Sequence, residues 1–231
     1  MLATPDTPWR SRTPRLTPPE RVRILETERS QREIMRSGEH TRENIVRQAA
    51  GLFNQHGFAG ASMSDIMEAT GLQKGGIYRH FESKEALALE AFDYAVACMG
   101  ARFAAAVEGR KGAIERLTAI IGVFASLPED PPVPGGCPVM NAGIENDDGN
   151  PVLRERARQA MDGLRDLIRR TAEGGVARGQ LRADTDCDEL ASVVVSTMEG
   201  GVALSKLYGD ASHARRAAEH LRKYLETSVR A

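Results

Sequence analysis

Hydrophobic residues recur every three to four positions along most of the chain, and this spacing predicts helices rather than strands. The clearest succession of short helices lies in residues 62–85, SMSDIMEATGLQKGGIYRHFESKE. Ser62 precedes the first apolar positions and has Asp65 three places on, which predicts an N-terminal cap with a reciprocal partner. Gly71 supplies the left-handed backbone that a helix ending near Thr70 needs. We therefore expect a helix, a glycine turn and a second helix.

The second helix of this succession, about residues 73–80, has one apolar face and one polar face. Leu72, Ile77 and Phe81 are spaced to face inward. The other positions make a poor core but suit the major groove of DNA, because glycines let the backbone approach and cationic or hydroxyl groups reach phosphates and base edges. The candidate DNA contacts are Arg42, Ser62, Gln73, Lys74, Gly75, Gly76, Tyr78, Arg79, His80 and Lys84.

An amphipathic first helix, about residues 41–56, precedes this succession and ends at Gly57. The spacing continues with Phe58, Ser62, Ile66, Gly71, Gly75, Tyr78, His80, Phe81 and the triplet Ser83-Lys84-Glu85. On this joint spacing, residues 41–87 resemble the DNA-binding domain of the TetR family of ligand-responsive repressors. Gln73 and Gly76 depart from the family pattern, which usually has Ser or Thr and a larger residue there. The resemblance implies a homodimer that binds a palindromic DNA operator and is released by a small-molecule inducer.

The apolar stripes lengthen after Ser83. They predict helices from residue 83 for more than twenty residues, and at residues 113–127, 138–145, 151–176, 186–208 and 211–229. Residues 128–136, PEDPPVPGG, must form a loop because four prolines and two glycines cannot continue a helix, and residues 147–149 are expected to turn. The predicted fold class is all-α: a three-helix helix-turn-helix domain at residues 41–87, then a larger helical ligand-binding and dimerisation domain at residues 88–231.

The last two predicted helices are apolar over a broad face and form the expected dimer surface. In the TetR family the corresponding helices pair with their symmetry mates as a four-helix bundle. An intramolecular core is the alternative explanation of the same pattern. The candidate interface residues are Val194, Thr197, Gly201, Leu204, Ala217, Leu221 and Tyr224.

Apolar and polar residues of the body are candidates for an inducer pocket, although a core position is the ordinary explanation for any single Met or Phe. They are Met99, Phe103, Phe124, Cys137, Met140, Asn141, Met161 and Met198. Cys137 starts a predicted helix between Gly136 and Pro138, and this Gly-Cys arrangement resembles a TetR regulatory-domain subgroup. We expect a small buried residue at this position. The alternative is that free amides stabilise a thiolate there and make it an electrophile or redox sensor.

Residues 1–40 carry five of the eleven prolines and eight arginines, with few large apolar residues. We expect them to be disordered, although a marginal polar helix fits residues 18–36. One functional alternative is an arginine arm that contacts the minor groove or phosphates. Another explanation is that translation starts at Met35, since the sequence from there looks like a normal beginning for the family.

Composition narrows the function further. The formal net charge is -1, and residues 41–85 carry five basic and five acidic groups, so we expect DNA affinity to depend on two copies binding together. No apolar window is long enough for a membrane span and no secretion signal is visible, which predicts a cytoplasmic protein without a membrane partner. Three widely spaced cysteines fit neither a disulfide framework nor a zinc site.

Catalysis is not expected, because the chain has no phosphate-binding loop, metal motif or Ser/His/Asp grouping with supporting context. No cofactor and no metal are predicted. An activator with the same DNA-binding domain stays open. A helical adaptor is the remaining alternative, but it would not need the set of Gly75, Tyr78, His80 and Lys84.

Overall fold

The computed structural model describes residues 18–146 and 150–231, and these residues are predominantly helical. The elements are α1 (Pro18–Gly60), α2 (Met63–Thr70), α3 (Lys74–Tyr78), α4 (Lys84–Val107), α5 (Ala113–Ser126), α6 (Pro138–Glu145), α7 (Pro151–Ala177), α8 (Cys187–Tyr208) and α9 (Ser212–Tyr224). A π-helical turn, Leu225–Val229, continues α9. The predicted all-α class is confirmed, and residues 128–136 form the expected loop. The turn predicted at residues 147–149 lies outside the described residues.

The chain divides into two compact units, Met1–Glu43 and Asn44–Ala231. In the first unit α1 begins at Pro18, which differs from the disorder predicted for residues 1–40. Pro18 fits the first turn of a helix, where a missing amide hydrogen costs nothing. The residues that follow are rich in Glu and Arg, which are good helix formers. Residues 1–17, which include part of the suggested arginine arm, lie outside the described residues.

In the second unit, α1 from residue 44, α2, α3 and the start of α4 enclose one apolar core, here called the head. Its fully buried side chains include Ile45, Ile66, Ile77 and Leu87. The backbone of α1 breaks at Gly57, whose φ of 77° and ψ of 169° are not helical. This confirms the break that the sequence predicts after residue 56.

Local caps set the angle between α2 and α3. The Ser62 hydroxyl accepts a hydrogen bond from the Asp65 amide at 3.2 Å, and the Asp65 carboxylate accepts one from the Ser62 amide at 2.7 Å. That second bond lowers the pKa of Asp65, because it stabilises the ionised carboxylate. Gly71 ends α2 in the left-handed conformation with φ 68°. The predicted helix, glycine turn and second helix are all confirmed.

Helix α4 links the head to a second core, here called the body. Leu87 and Ala91 pack in the head, whereas Met99 and Phe103 further along the helix pack with α5, α6, α7, α8 and α9. The centre of the body is made by fully buried side chains of α5, of which Phe124 is the largest. Burying such aliphatic and aromatic side chains stabilises the fold by about 1.5–3 kcal/mol each.

Helix α8 is long and apolar enough, by length and composition, to cross a membrane, and half of its most apolar window is buried inside the protein. It packs between α7 and α9 and also contacts α5. Those contacts are the environment of a central core helix.

Candidate nucleic-acid interface and internal cavity

Helix α3 presents a polar surface above the head core. Ile77 is 1% exposed and Phe81 is 4% exposed, so both anchor the helix from below. The side chains on the opposite face are open to solvent, and the Lys74 ammonium lies 5.7 Å from the centre of the Tyr78 ring. The exposed members of the predicted DNA contacts on this face are Gln73, Lys74, Gly75, Tyr78 and Arg79, with Gly76 and His80 half-buried beside them. This group is called the α3 surface below.

The remaining predicted DNA contacts are placed differently. The Lys84 ammonium donates a hydrogen bond to the Phe58 carbonyl and lies 4.4 Å from the centre of the Phe58 ring. Lys84 therefore ties the start of α4 to the end of α1. The sequence instead predicts that this cation contacts DNA beside α3. The Ser62 hydroxyl is used in the α2 cap. Arg42 belongs to the first unit.

Residues 133–145, here called the bridge segment, connect the head to the body. Val133 is buried in the head core, whereas Cys137 and Val139 belong to the body core. The Asn54 amide group of α1 donates to the carbonyls of Pro134 at 2.9 Å and Gly136 at 3.1 Å. The bridge segment is therefore bonded to α1 at its loop end.

Asn141 makes the reciprocal contact. Its amide group donates to the Asn54 side-chain oxygen at 2.9 Å and to the Gly135 carbonyl at 2.9 Å. Asn141 thus holds the head; it does not belong to the wall of the large cavity described below, and its role in an inducer pocket stays a prediction. Gly135 has φ 114°, and a Cβ atom there would lie 2.4 Å from the Asn54 carbonyl oxygen, so only glycine fits this approach.

A carboxylate fastens the other end of the bridge segment. Glu145, the last residue of α6, accepts hydrogen bonds from the amides of Phe58 at 2.8 Å and Ala59 at 2.9 Å. These amides are free because α1 breaks at Gly57, which leaves them without partners four residues back. No local sequence pattern predicts this contact, because its partners lie 86 and 87 positions apart.

A cavity of about 1000 Å³ opens between α4, α5, α6 and α7. Its wall includes three of the predicted pocket residues, Met99, Phe103 and Cys137. Phe124 and Met198 are fully buried in the body core instead, with no exposed surface. Neither side chain forms part of the cavity wall, so their assignment to a pocket stays a prediction. Met140 and Met161 are half-buried and pack against the body core.

Behind the cavity wall, Cys137 meets the buried carboxyl of Glu199. Burial raises the pKa of the Cys137 thiol well above its usual range, and the neighbouring Glu199 carboxylate raises this pKa further. Cys137 is buried, as expected of a small core residue, and its raised pKa does not favour the thiolate of the alternative interpretation. Burial also raises the pKa of Glu199 to about 7, and the hydrogen bond from Cys137 offsets part of this increase.

The sequence patterns considered above did not identify Glu199 as a candidate site residue, although its surroundings in the sequence mark it. It is the one charged residue in the stretch LASVVVSTMEGGVAL of α8. Its side chain is 5% exposed and its Oε1 has no hydrogen-bond partner among the described residues. A single acidic residue within an apolar run is the sequence pattern that points to such a position. Burying a carboxylate costs free energy, so an acid kept in a core helix indicates a specific role.

The apolar residues of α8 and α9 divide between the core and one exposed stripe. Val194 and Leu221 are each 1% exposed, and a Cβ atom on Gly201 would lie 2.9 Å from the Ala217 Cβ. Val194 and Leu221 therefore belong to the body core, and Gly201 packs against Ala217 within the chain, so these four predicted interface residues offer little free surface to a second copy. The exposed large apolar residues of these helices are Val193, Leu204, Leu207, Tyr208 and Tyr224. Leu204 and Tyr224 belong to the predicted interface, as does the half-buried Thr197.

Comparisons with known proteins agree with this architecture. Residues 45–91 match the family described as bacterial regulatory proteins, tetR family, and residues 113–221 match the tetracyclin repressor-like C-terminal domain. A crystal structure of a TetR transcriptional regulator from Chloroflexus aurantiacus J-10-FL is 50% identical with a TM-score of 0.82, covering 84% of this chain and 98% of that chain.

Two further relatives carry more specific names. The transcriptional repressor AcnR of Corynebacterium glutamicum is 28% identical over 151 residues, which is 65% of this chain and 74% of AcnR. The TetR-family regulator CifR, as a cysteine mutant complexed with 26-bp double-strand operator DNA, is 23% identical with a TM-score of 0.69, covering 78% of this chain and 94% of that chain. The CifR likeness concerns the fold.

The head carries a helix-turn-helix with a polar, solvent-facing second helix, and both the head and the body match the same family over their lengths. Together with the 50% identity to a crystallised regulator over nearly its whole chain, this settles the classification. The chain belongs to the TetR family of DNA-binding transcriptional regulators.

Proposed function

We propose that this chain is a cytoplasmic repressor that binds a palindromic operator as a homodimer and leaves it when a small molecule occupies the body. The α3 surface is the observation that carries the proposal, because it exposes cations and glycines above a fully packed core. AcnR, named as a repressor, and CifR, complexed with operator DNA, support the same direction.

On DNA, the α3 surface acts as one half of a two-fold reader. Lys74 and Arg79 supply the positive charge, and Arg79 has the fork geometry that pairs with a guanine edge or a phosphate. Gly75 and Gly76 lack side chains that would hold the backbone away from the groove. The head is close to neutral overall, so useful affinity comes from two heads binding together.

The second copy docks on the exposed stripe of α8. Val193, Thr197, Gly200, Leu204 and Leu207 follow one another at intervals of three and four residues, so they share one face of the helix. A Cβ atom on Gly200 would meet nothing within 4 Å, which leaves room for a partner helix. Pairing of this face with its symmetry mate places the two heads on half-sites roughly 34 Å apart.

Release by a ligand follows from the bridge segment. Cys137 and Val139 belong to the body side, whereas Asn141 and Glu145 are hydrogen-bonded to α1 of the head. An occupant that displaces α6 therefore alters the support of the head. A preference of about 1.4 kcal/mol for the non-binding arrangement lowers operator affinity tenfold.

Selection of genomic fragments by the purified protein tests the proposal. We expect one enriched palindromic sequence, bound by two protomers, and a promoter reporter that is silenced when the gene is expressed. Enrichment of no sequence, or binding by one protomer without sequence preference, would overturn it. A reporter that is switched on instead would identify an activator with the same DNA-binding head.

A matched pair of variants tests the dimer surface. Leu207→Lys places a charge on the exposed stripe of α8, and Ala183→Lys adds the same charge at an exposed position between α7 and α8. Sedimentation velocity should show monomers for the first variant and dimers for the second. If both variants form dimers, the dimer interface does not include the exposed stripe of α8.

A further inference from the structure

Arg116, in the first turn of α5, is a half-buried cation without an ion-pair partner among the described residues. Its Nε is buried and has no hydrogen-bond partner among the described residues. An unpaired buried donor costs free energy, and a charged one costs more than a neutral one. The side chain forms part of the wall of the 1000 Å³ cavity described above. A ligand that brings an acceptor to Arg116 would remove this cost.

The space around Arg116 changes character from one side to the other. On one side the cavity wall is apolar and contains Val96, Met99, Phe103 and Leu164. On the other side a groove of about 530 Å³ contains Arg170 and Arg178. Arg116, Gly163 and Leu167 belong to both walls. An apolar chamber therefore opens beside a cationic one, with Arg116 at the boundary.

The acid in the groove wall is already occupied. Asp166 accepts from Arg169 at 2.9 Å and from Arg170 at 3.4 Å, and these arginines lower the pKa of Asp166. Arg116 and Arg178 make no ion pair within residues 18–146 and 150–231. On the rim of the apolar chamber, the exposed Glu108 and Arg110 carry opposite charges. The uncompensated charge of the combined site is therefore positive.

We propose that this combined site binds an amphipathic anion, with an apolar body in the chamber and a carboxylate or phosphate head on Arg116. Arginine donates to either head through two parallel hydrogen bonds. The chamber is as large as the upper range of ordinary ligand pockets, about 300–1000 Å³. The inference rests on the proposed function in one respect: it takes the bound anion to be the small molecule that causes the protein to leave its operator.

Glu199 is the competing anchor, and it would select a cationic ligand. Its carboxyl does not form part of the cavity wall, where Cys137 stands in front of it. Arg116 contributes directly to that wall. Geometry therefore favours an anionic head over a cationic one, and the experiment below includes both.

Three probes with the same ten-carbon chain separate the alternatives: decanoate, 1-decanol and decyltrimethylammonium, each below its micellar concentration. Calorimetric titration of the full chain should give the tightest binding for decanoate. Arg116→Met keeps the aliphatic stem and should weaken decanoate about tenfold or more while leaving decanol within about twofold. Arg182→Met is the matched control, because Arg182 is exposed, pairs with Asp184 and belongs to neither wall.

Gly163→Phe tests the location independently of charge. Gly163 belongs to both walls, and a Cβ atom there meets nothing within 4 Å, so a larger side chain starts from open space. It should weaken decanoate about tenfold or more, since it fills the passage between chamber and groove. Circular dichroism and the urea midpoint confirm that each variant is folded. If Arg116→Met unfolds, Arg178→Met takes its place.

Equal affinity of decanoate for the wild type, Arg116→Met and Gly163→Phe would overturn the inference, as would tighter binding of decyltrimethylammonium. Operator titrations with the same samples separate this failure from that of the proposed function. If decanoate binds in a way that depends on Arg116 but the protein stays on the operator, the proposed ligand site is supported. The proposal that this ligand releases the protein from DNA is then contradicted. Intact operator binding with no affinity for any of the three probes contradicts the site and leaves the repressor proposal standing.

Discussion

The head and the body place their polar groups in opposite ways. In the head, the cations of the α3 surface face solvent above an apolar core, as Lys74 and Arg79 do. In the body, the Glu199 Oε1 and the Arg116 Nε are enclosed and lack hydrogen-bond partners among the described residues. An exposed polar surface suits a large partner that arrives from solution, such as DNA. Enclosed unpaired groups suit a small partner that is surrounded by protein.

The difference also explains why the two regions respond to different perturbations. Removing an exposed side chain from the α3 surface changes binding but leaves the fold intact, because nothing in the core depends on it. Changing an enclosed group in the body alters stability, and its effect depends on pH.

The largest effect is expected from Lys74→Ala combined with Arg79→Ala. A dimer then loses four cationic contacts, and at about 1 kcal/mol each operator affinity falls about a thousandfold. Fluorescence anisotropy with labelled operator measures the loss, and sedimentation should show an unchanged dimer. Arg158→Ala combined with Arg182→Ala removes the same charge from exposed sites outside the head and should have little effect. Comparable loss in both pairs would mean that only net charge matters.

Glu199→Gln should remove a pH dependence from the stability of the body. Burial holds the pKa of Glu199 at about 7, above its ordinary value of 4.5. The unfolded chain therefore ionises first, and the folded protein loses stability as the pH rises from about 4.5 to about 7. The full loss is about 3 kcal/mol above that range. Wild type and variant should be similar near about pH 5, and the variant more stable near about pH 8.5.

Urea unfolding at the two pH values measures this difference. If the difference in unfolding free energy between Glu199→Gln and the wild type is the same at both pH values, Glu199 does not titrate in this range. Ser196→Ala, on an exposed face of the same helix, is the control and should show no such dependence.

Asn54→Ala should break the junction between head and bridge segment. It removes the donor for the Pro134 and Gly136 carbonyls and the acceptor for Asn141. Leaving these groups unpaired should lower the free energy of unfolding by about 1–3 kcal/mol. Asn44→Ala, which removes only an exposed hydrogen bond with Arg47, should cost less. Equal urea midpoints for the two variants would argue that the junction contributes nothing.

The smallest effect concerns the reactivity of Cys137. Burial raises the pKa of this thiol, so a variant that keeps only Cys137 should react with a disulfide reagent about tenfold or more slowly than one that keeps only the half-buried Cys98. Absorbance of the released thiolate follows both reactions. Rapid reaction of Cys137 accompanied by loss of operator binding would support the electrophile sensor instead.

The head could be predicted from sequence because its determinants are local. Ser62 finds its capping partner three residues away, and Gly71 sets the turn by its own conformation. The body could not, because its contacts are distant in sequence, as between Asn54 and Asn141, which lie 87 positions apart. In α8, apolar residues surround most of the helix. Periodicity therefore could not decide whether Val194 or its neighbour Val193 faces outward.

Hydroxyl-radical footprinting of the selected operator tests the central claim most directly, that two copies of the α3 surface read DNA together. The account predicts two protected patches on one face of the duplex, centred about one helical turn or roughly 34 Å apart. Both patches should disappear together in the Lys74→Ala, Arg79→Ala variant. A single protected patch, or protection that survives this double substitution, would contradict the account.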